Sequence, residues 1–199
     1  MAYELDGVEY PSVTQITGQL DKPALLVWAA GCAVDYIKDN IDLVRDPFSN
    51  VHQIEEVLES ARSAHIKKKK DAATAGTLVH NAIDDYVNGR AYSLHHRDPD
   101  IRDKVERGFE AFLKWESFNH LEWLFTEVAV VSKRVGYAGR FDAIARINGI
   151  IHLIDFKTSK GVYDEFRWQL CAYRQAWNES EAVKKGITID NLMILHLDK

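Results

Sequence analysis

Asn148-Gly149 joins two apolar runs, GRFDAIARI and IIHLIDFK, and constrains this chain more than any other residue pair. Asn-Gly between such runs is the strongest short-range signal for a hairpin with a two-residue type I′ loop. That loop sets Ile147 opposite Ile150, and counting outward sets Asp142 opposite Asp155. Directly opposed Cβ atoms lie about 4.5–5.5 Å apart, and like charges at that distance destabilise a hairpin. Lys157 follows Asp155 by two residues, so strand alternation puts it on the same face. Two carboxylates and an ammonium are therefore expected together inside strands, where Asp is normally depleted.

One reading is a solvated sheet face on which Lys157 neutralises the pair. The neighbours argue otherwise. Ile144, Ile151 and Leu153 share the face of the aspartates, and Phe141, Ala143, Ile147, Ile150, Ile154 and Phe156 fill the other. A sheet that is apolar on both faces is covered on both. The carboxylates then border a cleft, where partly buried like charges need a cation. Mg²⁺ typically takes one or two protein carboxylates and leaves its other positions to water and phosphate.

The rest of the chain reads as a helical half followed by a strand-rich half. Residues 3–10 suggest a small hairpin about Asp6-Gly7. Residues 11–40 suggest helix in two pieces, broken between Gly18 and Pro23. An amphipathic helix is expected over 51–70, a separate one over 72–88 stopped by Gly89, and a third over 99–118 that starts at Pro99. LEWLFTEVAVVSK is strand-like, RVGYAG turns, and the hairpin follows. Residues 164–184 read as a helix, and ITIDNLMILHLDK as a closing strand. The expectation is an α+β domain over 1–199: a mainly helical half, 1–118, carrying His80, and a βββαβ core, 119–199.

With 199 residues, 46% hydrophobic and 28% charged, the composition is that of a globular protein with a sizeable core. No run is long and apolar enough to span a membrane. The first residues, MAYELDGVEYPSVTQ, lack the pattern of a secretory signal. The two cysteines, Cys32 and Cys171, have no metal-ligand spacing. A reducing cytosolic setting without a disulfide framework is expected. The net charge of −5 does not advertise a nucleic-acid binder. Basic residues are nevertheless grouped at Lys67 to Lys70, at Lys133, Arg134 and Arg140, and at Lys157, Lys160, Arg167 and Arg174. An acidic protein can hold a local basic channel, although the lysine run by itself reads as a solvated helix face.

Other residues are placed to complete a site. His80 lies in AGTLVHNAIDDYV, where Gly76-Thr77 permits close approach and Asp84, at i+4, could orient the imidazole. Glu127, in the strand before the hairpin, either faces the cleft or pairs with Arg140. Gln169 and Tyr173 share a helix face at i and i+4, as packing residues or as partners of a phosphate or of the lysine.

In order, G-T-x-x-H (Gly76 to His80), G-x-x-D (Gly139 to Asp142), D-x-K (Asp155 to Lys157) and Q-x-x-x-Y (Gln169 to Tyr173) resemble the RecB-like branch of the PD-(D/E)XK nuclease superfamily. The stretch PSVTQITGQLDKPALLVWAA is similar to the start of its stand-alone exonucleases, phage and mitochondrial genome-maintenance enzymes among them. The resemblance implies a restriction-endonuclease-like core: a central mixed sheet flanked by helices. It implies Mg²⁺ or Mn²⁺, as one or two ions, held by His80, Asp142, Asp155 and the Phe156 carbonyl, with Glu127 at an acidic position often present. It implies Lys157 as the catalytic lysine, supporting or DNA-contacting roles for Gln169 and Tyr173, and cleavage to a 5′-phosphate and a 3′-hydroxyl. Thr158, Lys160, Arg140 and Trp168 are further candidates for substrate contact, and Tyr163, Phe166 or Trp168 for base stacking. With two cysteines the chain cannot hold the four-cysteine iron–sulfur cluster of some relatives, and without G-x-x-x-x-G-K-[ST] it has no P-loop motor.

The expected activity is metal-dependent exonuclease cleavage of single-stranded or end-bearing DNA. It would serve recombination, repair or replication in a bacterial or phage-infected cytosol, beside a helicase, single-strand-binding or recombination partner. A structure-specific or restriction-type endonuclease is the nearest alternative, and a non-catalytic DNA-binding member a further one. Carboxylates about 5 Å apart would also suit a retaining glycosidase. The adjacent Lys157 and the lack of an aromatic sugar platform argue against it.

Overall fold

The structure, a computed structural model, describes residues 2–20 and 22–198, and every side chain among them except those of 180–183. Asp21, in the expected helix break, and Lys199, at the end of the last expected strand, lie outside the described residues. The chain divides into two compact units, Met1–Leu20 with Ala75–Lys199, and Asp21–Thr74.

The larger unit is built on a mixed sheet of four strands in the order β3-β4-β5-β6. β3 (Leu121–Ser132), β4 (Tyr137–Ile147) and β5 (Ile150–Lys157) form an antiparallel meander, and β6 (Asn191–His196) lies parallel to β5. A parallel neighbour requires a crossover, here the helix α6 (Asp164–Lys185). Gly186, at φ 64°, ends that helix in the left-handed conformation that glycine adopts without strain. At the Asn148-Gly149 loop both residues take positive φ, 50° and 84°, as a type I′ turn demands. The register is the expected one from Ile147↔Ile150 to Ala143↔Ile154.

Both sheet faces are covered. On one, Ala143, Ala145, Ile147, Ile154 and Phe156 pack with Val79 and Ile83 of α4 (Val51–Val87) and with Val105, Phe109 and Phe112 of α5 (Pro99–Ser117). On the other, Phe141, Ile144 and Leu153 pack with Leu170, Tyr173 and Trp177 of α6 and with Val13 of the short α1 (Val13–Thr17). A mixed sheet between helical layers is the restriction-endonuclease-like fold expected above. A separate hairpin of β1 (Tyr3–Leu5) and β2 (Val8–Tyr10) turns at Asp6-Gly7, again as expected.

The smaller unit holds α2 (Pro23–Asp39), α3 (Ile41–Arg45) and the first part of α4. Within it Trp28 meets His65 edge-on, and Cys32, Val57, Ala61 and Ala64 are buried.

Three boundaries differ from the sequence reading. The two helices expected over 51–70 and 72–88 are one helix of 37 residues. No proline interrupts that stretch, Ala72 and Ala75 favour helix, and Lys67 pairs with Asp71 at 2.7 Å across the supposed break. Tyr137, Ala138 and Gly139, expected in a turn, already belong to β4. The last strand is confined to Asn191–His196.

Candidate metal and nuclease site

Strict alternation would put Phe141 and Ala143 on one face of β4. Instead Phe141 packs toward α6 and Ala143 toward α4 and α5, so the strand changes face at Asp142. β3 does the same at Glu127. Thr126 meets Asn88, in the turn just after α4, at 2.9 Å, whereas Val128 packs on the α6 side. Glu127 has φ 51°, unusual for a residue with a Cβ. The pairs Thr126↔Ala143 and Val128↔Phe141 flank Glu127 and Asp142, so the two irregularities face each other across the ladder. This corrects the expected division of the two faces. The β4–β5 ladder also stops at Ala143↔Ile154, one pair short of the expected opposition of Asp142 and Asp155. Two carboxylates would repel there. Asp142 instead accepts the Phe156 backbone N–H at 2.5 Å, which satisfies that donor outside the ladder.

Asp142 also holds His80, with Nδ1 3.1 Å from its Oδ1. His80, Glu127 and Asp142 each offer a ligand atom, and these atoms all lie within 4.8 Å of one another. They line a cleft of about 350 Å³ with Gly76, Thr77 and Asn81. Asn81 was not singled out from sequence, although its i+4 spacing from Thr77 on a helix carrying a candidate ligand was a usable signal. Asp84 does not orient His80. It is engaged by Asn88 and Arg90, and Asp142 takes the expected role. Glu127 does both things considered for it, facing the cleft and lying 3.6 Å from Arg140.

Asp155 stands apart from this trio. It is 2% exposed, and its Oδ2 lies 2.5 Å from Lys157 Nζ without hydrogen-bond alignment. Lys157 donates to Gln169 Oε1 at 3.2 Å, and the Gln169 amide donates to the Tyr173 hydroxyl at 2.6 Å. Two glycines of the recognised motifs are explained by close approach. A Cβ on Gly139 would lie 2.3 Å from Tyr173 Cε1, and one on Gly76 would lie 3.0 Å from Thr158 Oγ1. Phe156 is a core side chain whose ring meets His80 edge-on at 5.9 Å. Lys160, Tyr163 and Trp168 are exposed, and Phe166 is half-buried. The expected basic groups are partly neutralised, Lys133 by Asp6 and Arg134 by Glu179. These residues line a second hollow of about 760 Å³, whose lining shares no residue with the trio.

The electrostatics favour a cation. Burial, then the charge of Asp142, push Asp155 up to about 6 against the pull of Lys157. Burial and Asp142 likewise raise Glu127, against His80 and Arg140. For His80 burial acts downward, but the charge and hydrogen bond of Asp142 outweigh it and leave the imidazole above its ordinary range. The charge of Asp142 makes both Glu127 and Asp155 harder to ionise, and a bound divalent ion relieves both. One imidazole and two carboxylates are a donor set that suits Mn²⁺ and Mg²⁺.

The sequence model of the PD-(D/E)XK nuclease superfamily matches residues 49–196, well over half of the chain. The chain belongs to the PD-(D/E)XK nuclease superfamily. A PD-(D/E)XK domain marks a metal-dependent nuclease, with a nucleic acid as its substrate. No curated protein matches the chain. Among the described residues no helix is long and apolar enough to cross a membrane. The stretch matched to the superfamily contains His80, Glu127, Asp142, Asp155, Lys157, Gln169 and Tyr173.

Proposed function

We propose that this chain is a metal-dependent deoxyribonuclease of the RecB-like branch, an exonuclease acting on single-stranded or end-bearing DNA. The observation that carries the proposal is the meeting of His80, Glu127 and Asp142 beside a lysine braced by Asp155 and Gln169. A glycosidase pair has no use for that lysine or for a histidine among the carboxylates.

In this reading His80, Glu127 and Asp142 hold Mg²⁺ or Mn²⁺, with Asp155 and the Phe156 carbonyl joining them as the resemblance implies. A bound ion supplies a water of lowered pKa and neutralises phosphate charge. Lys157 presents a fixed ammonium to the charge that develops on the phosphoryl oxygens as the bond breaks. Gln169 fixes the direction of that ammonium and is itself fixed by Tyr173. Arg140, 55% exposed beside Glu127, is placed to meet a backbone phosphate, as is the exposed Lys160. Tyr163 and Trp168 are half-exposed rings on which bases can stack. The cellular role follows the resemblance: recombination, repair or replication in the cytosol, where a helicase or recombination partner supplies the free strand.

The deciding test uses end-labelled linear and covalently closed circular single-stranded DNA with Mg²⁺, Mn²⁺ or EDTA. Wild type is compared with Asp155→Ala and Lys157→Ala. Metal-dependent loss of the linear form alone, absent in both variants, is expected. Cutting of circles would make the enzyme an endonuclease with the same chemistry. Binding without cutting would make it a non-catalytic member.

A further inference from the structure

We infer that Phe166 is a positioning residue for Lys157, its ring bracing the ammonium rather than offering a platform to a base. The inference rests on the reading of Lys157 as the lysine of the reaction. The Lys157 Nζ lies 4.8 Å from the centroid of the Phe166 ring, within the range of cation–π attraction. The ammonium therefore has three neighbours of different character: the Asp155 carboxylate at 2.5 Å, the Gln169 amide oxygen at 3.2 Å and this ring.

The three do different work. Asp155 supplies countercharge but no aligned hydrogen bond, since its Oδ2 is buried without one. Gln169 takes one N–H and sets one direction. A lysine has three N–H groups on a flexible stem and loses rotamer entropy when held still. A ring quadrupole restrains the position of the ammonium without consuming an N–H, so it leaves donors for the substrate.

The ring is held in its turn. Tyr163 packs against it edge-on at 5.5 Å, and the Phe166 amide donates to the Tyr163 carbonyl at 3.1 Å in the first turn of α6. Phe166, Gln169 and Tyr173 stand at i, i+3 and i+7, so one row of α6 carries the ring, the amide and the phenol. With the ammonium against it, the ring is poorly placed to stack on a base. Tyr163 and Trp168, 48% and 51% exposed, remain better suited to that.

The test compares wild type with Phe166→Leu, Phe166→Met and Phe166→Tyr. Phe166→Met keeps apolar volume without the quadrupole, and it stands in if Phe166→Leu does not fold. Cutting of an end-labelled single-stranded oligonucleotide gives kcat and KM, and binding of the same oligonucleotide in EDTA gives Kd. Loss of the cation–π contact should lower kcat by about three- to thirtyfold and leave Kd within about twofold, with Phe166→Tyr close to wild type. In protein labelled at lysine, the ε-methylene resonance of Lys157 should carry a ring-current shift that disappears in Phe166→Leu or Phe166→Met. A weakened Kd with unchanged kcat would overturn the inference and make the ring a base platform. A Lys157 resonance indifferent to both variants would also overturn it. If wild type cuts nothing, the nuclease reading falls, and the resonance alone decides whether Phe166 positions Lys157.

Discussion

The Tyr173 ring occupies the space that a side chain at Gly139 would need, 2.3 Å from the ideal Cβ position to Cε1. The glycine of G-x-x-D and the tyrosine of Q-x-x-x-Y are thus two halves of one contact between β4 and α6. Displacing that ring also disturbs Gln169, which donates to the Tyr173 hydroxyl, and through it Lys157. Gly139→Ala should destabilise the protein by about 1–3 kcal/mol, the usual cost of overpacking a core. It should also lower activity by more than that loss of folded protein explains. Thermal unfolding and cutting by the folded fraction check this. Gly139→Ala combined with Tyr173→Leu, which opens the space, should recover part of the stability but not the activity.

Metal binding should depend on the trio. His80→Ala, Glu127→Gln and Asp142→Asn should each weaken Mn²⁺ binding by about tenfold or more, since loss of an outer partner alone typically costs about 10–100-fold. Titration calorimetry measures this without DNA. Chelation should abolish cutting. Because imidazole suits Mn²⁺ better than Mg²⁺, Mn²⁺ should support at least the Mg²⁺ rate. A much lower rate would count against His80 as a ligand.

Asp84 provides the contrasting case. It sits one turn from His80 but is engaged by Asn88 and Arg90. Asp84→Asn should leave Mn²⁺ affinity within about twofold and cost about 0–1 kcal/mol of stability, as for other solvent-facing ion pairs. A large loss of affinity would show that Asp84, not Asp142, orients the imidazole.

Glu179 should make stability fall in acid. The Ser132 hydroxyl, Gln175 and Arg134 all donate to its carboxylate and hold it below its ordinary value of 4.5. A carboxylate depressed in the folded state adds stability above its unfolded pKa and loses it as pH falls through the folded one. Glu179→Gln should therefore cost about 1–2 kcal/mol at pH 7, in line with lost hydrogen bonds to a charged group. Denaturant unfolding at a series of pH values should show that cost shrinking once the pH drops below the ordinary carboxylate range.

The hairpin was legible because its signal is local. Asn148-Gly149 needs only two residues that tolerate positive φ, and alternation then carries the register outward as far as Ala143↔Ile154. The two-sided covering of the sheet was legible for a similar reason, since apolar residues on both faces leave no solvated side. The helix boundary near Asp71 was not legible. A lysine run reads as a solvated end, whereas helix continuity depends on the absence of a breaker and on packing further along.

Sequence alone therefore determined the order of the elements and pointed to the residues proposed above to carry the chemistry. It did not determine how those residues meet. Asp142 and Glu127 leave the alternation together, at facing positions, and Glu127 does so at a φ of 51° that local propensity disfavours. His80 reaches Asp142 from 62 residues away, and Asp155 turns to Lys157 rather than to the trio. Neighbouring residues set turns and periodicity, because those depend on dihedral preferences within a few residues. The face changes and the His80–Asp142 contact belong to tertiary structure. They exist only where α4, α6 and the sheet pack closely enough to hold polar groups in positions that no single strand would choose.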